Sequence, residues 1–511
     1  MAKPRQKNKP GRTGRTIAYV LLVGVIAVIC FYPITRYYFL QDDFTLLANV
    51  AFDRNATVAN TFGSESDLFR PLTKIAYFGV MHGLFGLNPL PYHLVSLAIH
   101  VLNTLLVFVL LRRFRIERIP ALVATALFAF HVGFFDVVAW ISCIQQLAGQ
   151  AFMLAGLILG VRAVDTKRPL LVVLAASAYV LALLSLEQTY ALPLLLFLYA
   201  YTKEKVGPAR NRAGRALRDT APYLALMVLY LVYMAASKGV PEEGPYKYRI
   251  GANVITNLFT YLDWVFAFSV VMPFVVDVSS TGLTSAHVVL AILLIYSLAK
   301  GRKRVVIFST AYYVLTILPL LFLEGHAFYL HNYIPSVGVL CLMAPVVEDL
   351  FKVVRDWNRR FVPATAVILI GLAAIICYTK VRANETNYLR PDLPLPNDFV
   401  LRRAVIAKHT FDDVTVKGQT QSPPKNLFMV YTSEDGWYKY NVVAALGQGS
   451  ALKLFYSEPD LNVRFHEKGD TLYGYNTNDS RIFFFDYMGR CFTPEEMDTE
   501  EGAAIKPIES D

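Results

Sequence analysis

Long apolar runs alternate with short basic ones along this chain. The first apolar run, Ile17 to Ile34, follows MAKPRQKNKPGRTGR, a stretch with six Lys/Arg and no acid. About 20 apolar residues are needed to cross a hydrocarbon core, and this run meets that length. No small-residue cleavage pattern follows it, so it predicts a retained span with a cytoplasmic N-terminus. Bases recur in RRFRIER (Arg112–Arg118), RAVDTKR (Arg162–Arg168), TKEKVGPARNRAGRALR (Thr202–Arg218), KGRKR (Lys300–Arg304) and KVVRDWNRR (Lys352–Arg360). Short basic loops stay on the cytoplasmic side. Alternation between these anchors predicts eleven spans, near 17–35, 93–111, 119–138, 145–162, 169–186, 188–202, 219–236, 284–299, 304–323, 332–350 and 361–379. One apolar run breaks the alternation. VITNLFTYLDWVFAFSVVMPFVV (Val254–Val276) carries Asp263 and Pro273, and its crossing would force KGRKR outside. It is expected to be re-entrant or surface-lying on the outer side; the alternative makes it an ordinary span and one of its neighbours the non-crossing piece.

Composition supports this pattern. With 55% hydrophobic and 17% charged residues among 511, the chain reads as a polytopic α-helical membrane protein of about 11 transmembrane helices rather than a soluble one. The net charge of +10 is accounted for by the inner loops, so no nucleic-acid partner is expected. The five cysteines have no metal-ligand spacing. The chain divides into a basic cytoplasmic tail (1–16), a transmembrane body (17–380) and an outer-face domain (381–511). Within the body, 35–92 is a first outer loop in which RPLTKIAYFGVMHGLFG (Arg70–Gly86) has the helical spacing of a surface helix. The outer-face domain opens on RPDLPLPND. Its short apolar strands, NLFMVY and RIFFFDY, predict a small α/β fold.

On this topology the unusual polar residues gather at the outer face. Asp42 and Asp43 follow the first span in FLQDDF. His131 and Asp136 end the third, and Cys143, Gln145 and Gln146 open the fourth. Glu187 and Gln188 lie in the turn between the fifth and sixth. His326 and His331 join the ninth and tenth. Ionisable groups at membrane depth are costly unless they face protein or water, so their convergence predicts an outward-opening polar cavity. Taken singly, each residue except Asp42 and Asp43 fits a solvated, capping or packed role better than a functional one, and His93 and His100 fit packing better than ligation. A carboxylate there can take a proton from a hydroxyl. Arg70 and Lys74, carried back to the membrane by the surface helix, can hold a phosphate.

These residues also resemble a known group. FLQDDF followed by FRPLTKIAYFGVMHGLFGLNPLPYHLVSLAIHVLNTLLVFVLLRRF is similar to the first loop and second span of membrane glycosyltransferases with the GT-C fold, protein O-mannosyltransferase branch. LFAFHVGFFDVVAWIS, LLSLEQTYALPLLLFLYAY and YIPSVG (Tyr333–Gly338) resemble that group's later motifs, in the same order. The resemblance implies an inverting transferase that uses a polyprenyl-phosphate-linked sugar at the outer face. Its base would be a first-loop Asp, here Asp42 with Asp43 the close alternative. Departures stand at Val132, Asp136 and Leu186, where relatives have Pro, Glu and Lys. Tyr329 and Leu330 replace the Glu-Arg pair before Y-L-P-S, so either Arg70, Lys74 or Arg249 is the expected phosphate partner or the donor differs.

The combined expectation is a bacterial inner-membrane glycosyltransferase with a periplasmic C-terminal domain. Its partners are a polyprenyl-phosphate sugar donor, a glycan, glycolipid or protein acceptor, and the lipid bilayer. Asp42 and Asp43 are the catalytic candidates, and Arg70, Lys74 and Arg249 the phosphate-binding ones. His131, Asp136, Glu187, Gln188, His331 and Tyr333 are the substrate-binding candidates. No cofactor is required and no metal ligand is assigned, although paired acids leave a divalent metal open. The alternatives are a transporter or flippase of a lipid-linked sugar, and an inactive relative serving as a binding or assembly module. The absence of internal repeats argues against the transporter.

Overall fold

The computed structural model describes residues 11–62, 69–203, 208–237, 247–266, 284–324, 326–390, 393–418, 423–432, 436–473, 475–476 and 479–497. Helix α1 (Gly11–Phe31) leads into a first loop containing α2 (Asp42–Phe52), α3 (Arg54–Phe62) and α4 (Phe78–Phe85). Helices α5 (Pro89–Arg113), α6 (Arg118–Ala129), α7 (Phe135–Ala139), α8 (Ile144–Thr166), α9 (Pro169–Leu183) and α10 (Leu192–Lys203) follow. Then come α11 (Ala209–Ser237), α12 (Ala252–Trp264), α13 (Ser285–Ala299), α14 (Lys303–Leu321), α15 (Ser336–Asn358) and α16 (Phe361–Thr386). Helix starts carry the expected chemistry. Pro89 occupies the first turn of α5, and the Asn88 side chain accepts a hydrogen bond from Leu90 N at 3.2 Å, meeting one orphan amide of the helix end.

Each of the eleven stretches set by loop charge is mostly helical, although 119–138 is broken into α6 and α7. Six are long and apolar enough to cross a bilayer: Ala18–Arg36, Pro89–Arg113, Ile141–Thr166, Ala209–Ser237, Lys303–Leu321 and Phe361–Thr386. Arg118–Ala129 with Val132–Ala139 meets the same test as a pair bent by 46°, and Pro169–Leu183 and Ser285–Ala299 are shorter apolar helices. The chain is therefore a multi-pass helical membrane protein. Of Val254–Val276, the part through Trp264 is α12, and Ala267–Val276 lies outside the described residues. Arg70–Gly86 is helical but not uniform. Leu72–Tyr77 forms a π turn that runs into α4.

Packing within the body is close. At Gly338 on α15, an added Cβ would stand 2.7 Å from Ser309 O and 2.8 Å from Tyr313 N of α14. Only a residue without a side chain lets these two backbones meet there. His93 and His100 are buried in the same body. His93 Nε2 pairs with Tyr37 O at 3.1 Å, and His100 bridges the Tyr333 hydroxyl and Ala129 O.

The C-terminal part begins with an antiparallel ribbon, β1 (Tyr388–Arg390) and β2 (Leu393–Pro396), followed by α17 (Phe399–Gly418). A four-stranded sheet follows, built from β3 (Asn426–Tyr431), β4 (Asn462–Glu467), β5 (Ser480–Phe485) and β6 (Cys491–Phe492), in the order β4-β3-β5-β6. β3 is parallel to both neighbours, and β6 is antiparallel to β5. NLFMVY is a continuous apolar run because the middle strand is covered on both faces. The β3–β4 crossover carries α18 (Gly436–Ala445) and α19 (Ser450–Tyr456). This domain shares a core with the body: Phe44 of α2 stacks on Phe411 of α17, with centroids 5.5 Å apart and planes at 11°.

Candidate functional site

At one end of the bundle, loop ends from both halves of the body enclose a cavity of about 510 Å³. Asp42 projects into it from the first turn of α2, Arg70 from the stretch before the π turn, and Gln145 and Gln146 from the start of α8. Glu187, Gln188 and Tyr190 come from the turn after α9. Tyr230 comes from α11, and His326 and His331 from the loop before α15. These polar groups come from sequence positions nearly 300 residues apart, which is why only the fold assembles them.

The two adjacent acids separate. Asp43 is fully buried behind the cavity wall, outside the lining. Its Oδ1 accepts the Ser142 amide at 2.7 Å and the Ser142 hydroxyl, and its Oδ2 accepts Leu40 N at 3.1 Å. Burial pushes its carboxyl up to about 7 despite these bonds. Asp42 is exposed, but to the cavity, with protein around it on most sides. Burial among protein atoms raises its carboxyl above the ordinary value; the Gln41 hydrogen bond and the charges of Lys74, Arg403 and Arg70 act against that rise.

The cavity floor is an ion pair. Arg70 donates from Nε to Glu187 Oε2 at 2.8 Å and from Nη2 to Glu187 Oε1 at 2.6 Å, while its Nη1 donates to Gln145 Oε1 at 2.6 Å. Burial pushes Glu187 upward, but the Arg70 charge and hydrogen bonds together hold it below its ordinary value. This fork-to-carboxylate geometry fixes the guanidinium plane beside the cavity. Gln188 Nε2 donates to Thr316 O at 3.0 Å and to His331 O at 3.3 Å. His331 Nδ1 pairs with the Tyr261 hydroxyl at 2.9 Å, and burial drives its imidazole down to about 3, so it is neutral.

Other candidate residues stand elsewhere. Lys74 lies on the π turn, outside the cavity lining but within electrostatic reach of Asp42. Arg249 pairs with Glu324 and is likewise outside the lining. Tyr333 is fully buried, its hydroxyl joined to His100 at 2.9 Å and Asn103 at 3.1 Å. His131 lines a separate apolar groove of about 270 Å³, and its Nε2 pairs with Val265 O at 2.7 Å. Asp136 lies outside the cavity lining, within electrostatic reach of Asp398 of the C-terminal part. Tyr329 stacks on Trp264 with centroids 4.2 Å apart, and Leu330 lines the cavity wall. Among the described residues, no group of three or more His, Cys, Asp or Glu side chains could hold a metal ion.

Two participants carry no sequence signal. Gln41, the residue before α2, adopts φ +47° and ψ −114°. With Asp43 N bonded to Leu40 O at 3.0 Å, this is the first central position of a type II′ turn, a place for glycine. A side chain there costs on the order of 1–3 kcal/mol unless its surroundings over-determine it. Arg403 of α17 reaches the Gln41 side-chain oxygen. An Arg-Arg pair on a helix looks like any solvated face, and a glutamine before two acids looks like a loop.

No family model and no curated protein matches the chain. Among solved structures, it is similar to the oligosaccharyltransferase of Archaeoglobus fulgidus, tethered with an acceptor peptide containing the NVT sequon via a disulfide bond. The TM-score is 0.48 at 12% identity, over 88% of this chain and 63% of the other. The chain thus corresponds to less than two thirds of that protein's length.

Proposed function

We propose that the protein is a membrane glycosyltransferase of GT-C type. In this reading it moves a sugar from a polyprenyl-phosphate-linked donor to an acceptor hydroxyl at the outer membrane face. The observation that carries it is one chamber holding a cavity-facing carboxylate, Asp42, and a fixed guanidinium, Arg70. The ordered series of motifs from Phe39 to Gly338 supports the same class. In the transfer step, the acceptor O–H gives its proton to Asp42 as its oxygen bonds the anomeric carbon. The bond from that carbon to the phosphate oxygen breaks, its electron pair leaving with the phosphate. Arg70 faces the departing charge with Glu187 fixing its plane, and Lys74 adds a second positive charge nearby. Cationic side chains can hold that charge without a metal ion. Inversion follows from a single displacement. The cavity takes a sugar phosphate head, and the prenyl chain stays in the bilayer alongside.

The experiment is transfer from a panel of radiolabelled polyprenyl-phosphate sugars by full-length protein, with total membrane lipids and glycans as acceptors. Asp42→Asn is expected to lower turnover about 10²–10⁴-fold, the range a positioned base contributes, with donor binding kept. Undiminished turnover in Asp42→Asn removes it as base. Tight donor binding with no turnover by wild type on any donor favours a carrier or an inactive binding module.

A further inference from the structure

The C-terminal domain meets the cavity lining at Trp140, which takes Phe399 edge-on at 5.9 Å, and three times at Gln41. Gln41 N–H donates to Ala445 O, at the end of α18, at 2.9 Å. The Gln41 side-chain oxygen accepts from Arg403 Nη1 of α17. The Gln41 carbonyl lies against Gly447, where an added Cβ would stand 2.7 Å from that oxygen and 3.2 Å from Phe44 Cβ. Gly447 itself has φ +55°. Behind these contacts, α19 packs along α2, and Phe411 of α17 takes Phe44 face to face and Tyr38 at 5.1 Å.

All three contacts converge on the one non-glycine residue that occupies the glycine position of the turn opening α2. A strained backbone persists only where its surroundings hold it. Here the holder is another domain, and the next residue is Asp42. If Gln41 relaxed to an ordinary φ, the first turn of α2 would rotate and carry the Asp42 carboxylate out of the cavity. Asp43 ties the same turn to the body through Ser142 and Leu40, while the Gln41 N–H and side chain are held by the C-terminal domain. Arg403 is itself set in place. Its guanidinium lies 5.8 Å from the Phe399 ring and 5.7 Å from the Tyr440 ring, so its reach to Gln41 is not a loose surface contact.

We propose that the C-terminal domain clamps Gln41 and thereby aims Asp42, with Arg403 and Gly447 as positioning residues. The outer domain is then part of the working site without touching the donor. The inference rests on the reading of Asp42 as base for its kinetic consequence, but its structural consequence is independent of any chemistry.

Two readouts on full-length protein test it. One is hydrogen exchange of residues 39–47, and the other is donor transfer, compared in wild type, Arg403→Gln, Arg403→Lys and Gly447→Ala. Arg403→Gln is expected to speed exchange in 39–47 by about tenfold or more, as a local opening does, with β3 and β5 unchanged. Its kcat is expected to fall about 10²-fold, the scale of a misplaced reacting group, with donor KM held. Arg403→Lys restores part of both. Unchanged exchange of 39–47 in both Arg403→Gln and Gly447→Ala overturns the clamp. So does a loss of exchange protection that spreads equally through β3 and β5, which would mean unfolding of the domain. If wild type transfers no sugar from any donor yet 39–47 loosens as expected, the clamp stands and the transferase reading falls. If transfer falls in Asp42→Asn while Arg403→Gln matches wild type in both readouts, the transferase reading stands and the clamp falls.

Discussion

Arg70 and Glu187, 117 residues apart in sequence, meet through two parallel hydrogen bonds of 2.8 and 2.6 Å in the cavity floor. Arg70 is nearly buried, with its side chain 7% exposed. Removing one partner of such a pair leaves an uncompensated charge, which costs about 3–5 kcal/mol. Glu187→Ala is therefore expected to lower the apparent Tm of the detergent-solubilised protein markedly. The double replacement Arg70→Leu with Glu187→Leu is expected to lower it less than the two single costs combined. Thermal denaturation of Glu187→Ala, Arg70→Ala and the double replacement checks this. Because Glu187 sits below its ordinary value of 4.5 in the fold, its contribution is full above that value. It is lost as pH falls through the lower folded value, so the Glu187→Ala cost shrinks in strong acid.

Asp43 has the opposite sign. Its carboxyl stands at about 7 in the fold against 3.8 when unfolded. The folded state then binds the proton more tightly, so this group's contribution is full below 3.8 and lost as pH rises through about 7. The swing is on the order of 4 kcal/mol. Asp43→Asn keeps an acceptor for Ser142 but does not titrate. Its stability is expected to vary less between pH 4 and 7 than that of wild type, as read by Tm against pH. Asp43→Ala strands the Leu40 and Ser142 amides and is expected to cost about 1–3 kcal/mol for each unpaired donor.

On the proposed role of Asp42 as base, turnover is expected to depend on its titration. Its carboxyl is raised by burial, so the acid limb of kcat/KM is expected above its ordinary value of 3.8. Lys74 works against that rise. Lys74→Gln removes a positive charge from the neighbourhood of Asp42, favours the protonated acid and is expected to move the limb to higher pH. A pH–rate profile of wild type and Lys74→Gln on the same donor decides it. A limb that stays in place means Lys74 does not act on the base.

The body of this fold was legible because its signals are repetitive. Apolar length and loop charge repeat along the chain, and each predicted stretch is mostly helical, with a break between α6 and α7. The cavity was legible as a set because Asp42, Glu187, Gln188 and His331 all lie at one end of the bundle. Which of two adjacent acids faces inward was not. Neighbouring helical residues point about 100° apart, and only the packing of Ser142 against Asp43 decides the matter. His131 looks like a site residue in sequence because it is polar and lies near the same end, and Tyr333 because it opens the YIPSVG motif. In the fold, one bonds a backbone carbonyl and the other joins two buried side chains. Arg403 and Gln41 meet across 362 residues, a contact that no local pattern encodes.

Tyr333 makes the distinction between site and core testable. Its hydroxyl joins His100 Nδ1 and Asn103 Nδ2, tying α5 to the turn that opens α15. Tyr333→Phe keeps the ring packed against Phe134, 4.7 Å away, but leaves His100 and Asn103 without their shared partner. Stranding buried polar groups costs about 1–3 kcal/mol, so the variant is expected to lose stability by that amount. The cavity lining contains neither Tyr333 nor its two partners, so donor KM is expected to stay at the wild-type value. A rise in KM with unchanged Tm would instead place the hydroxyl among the groups that hold substrate. The paired measurement of Tm and donor KM separates the two roles, because a core hydroxyl moves the first and a substrate contact moves the second.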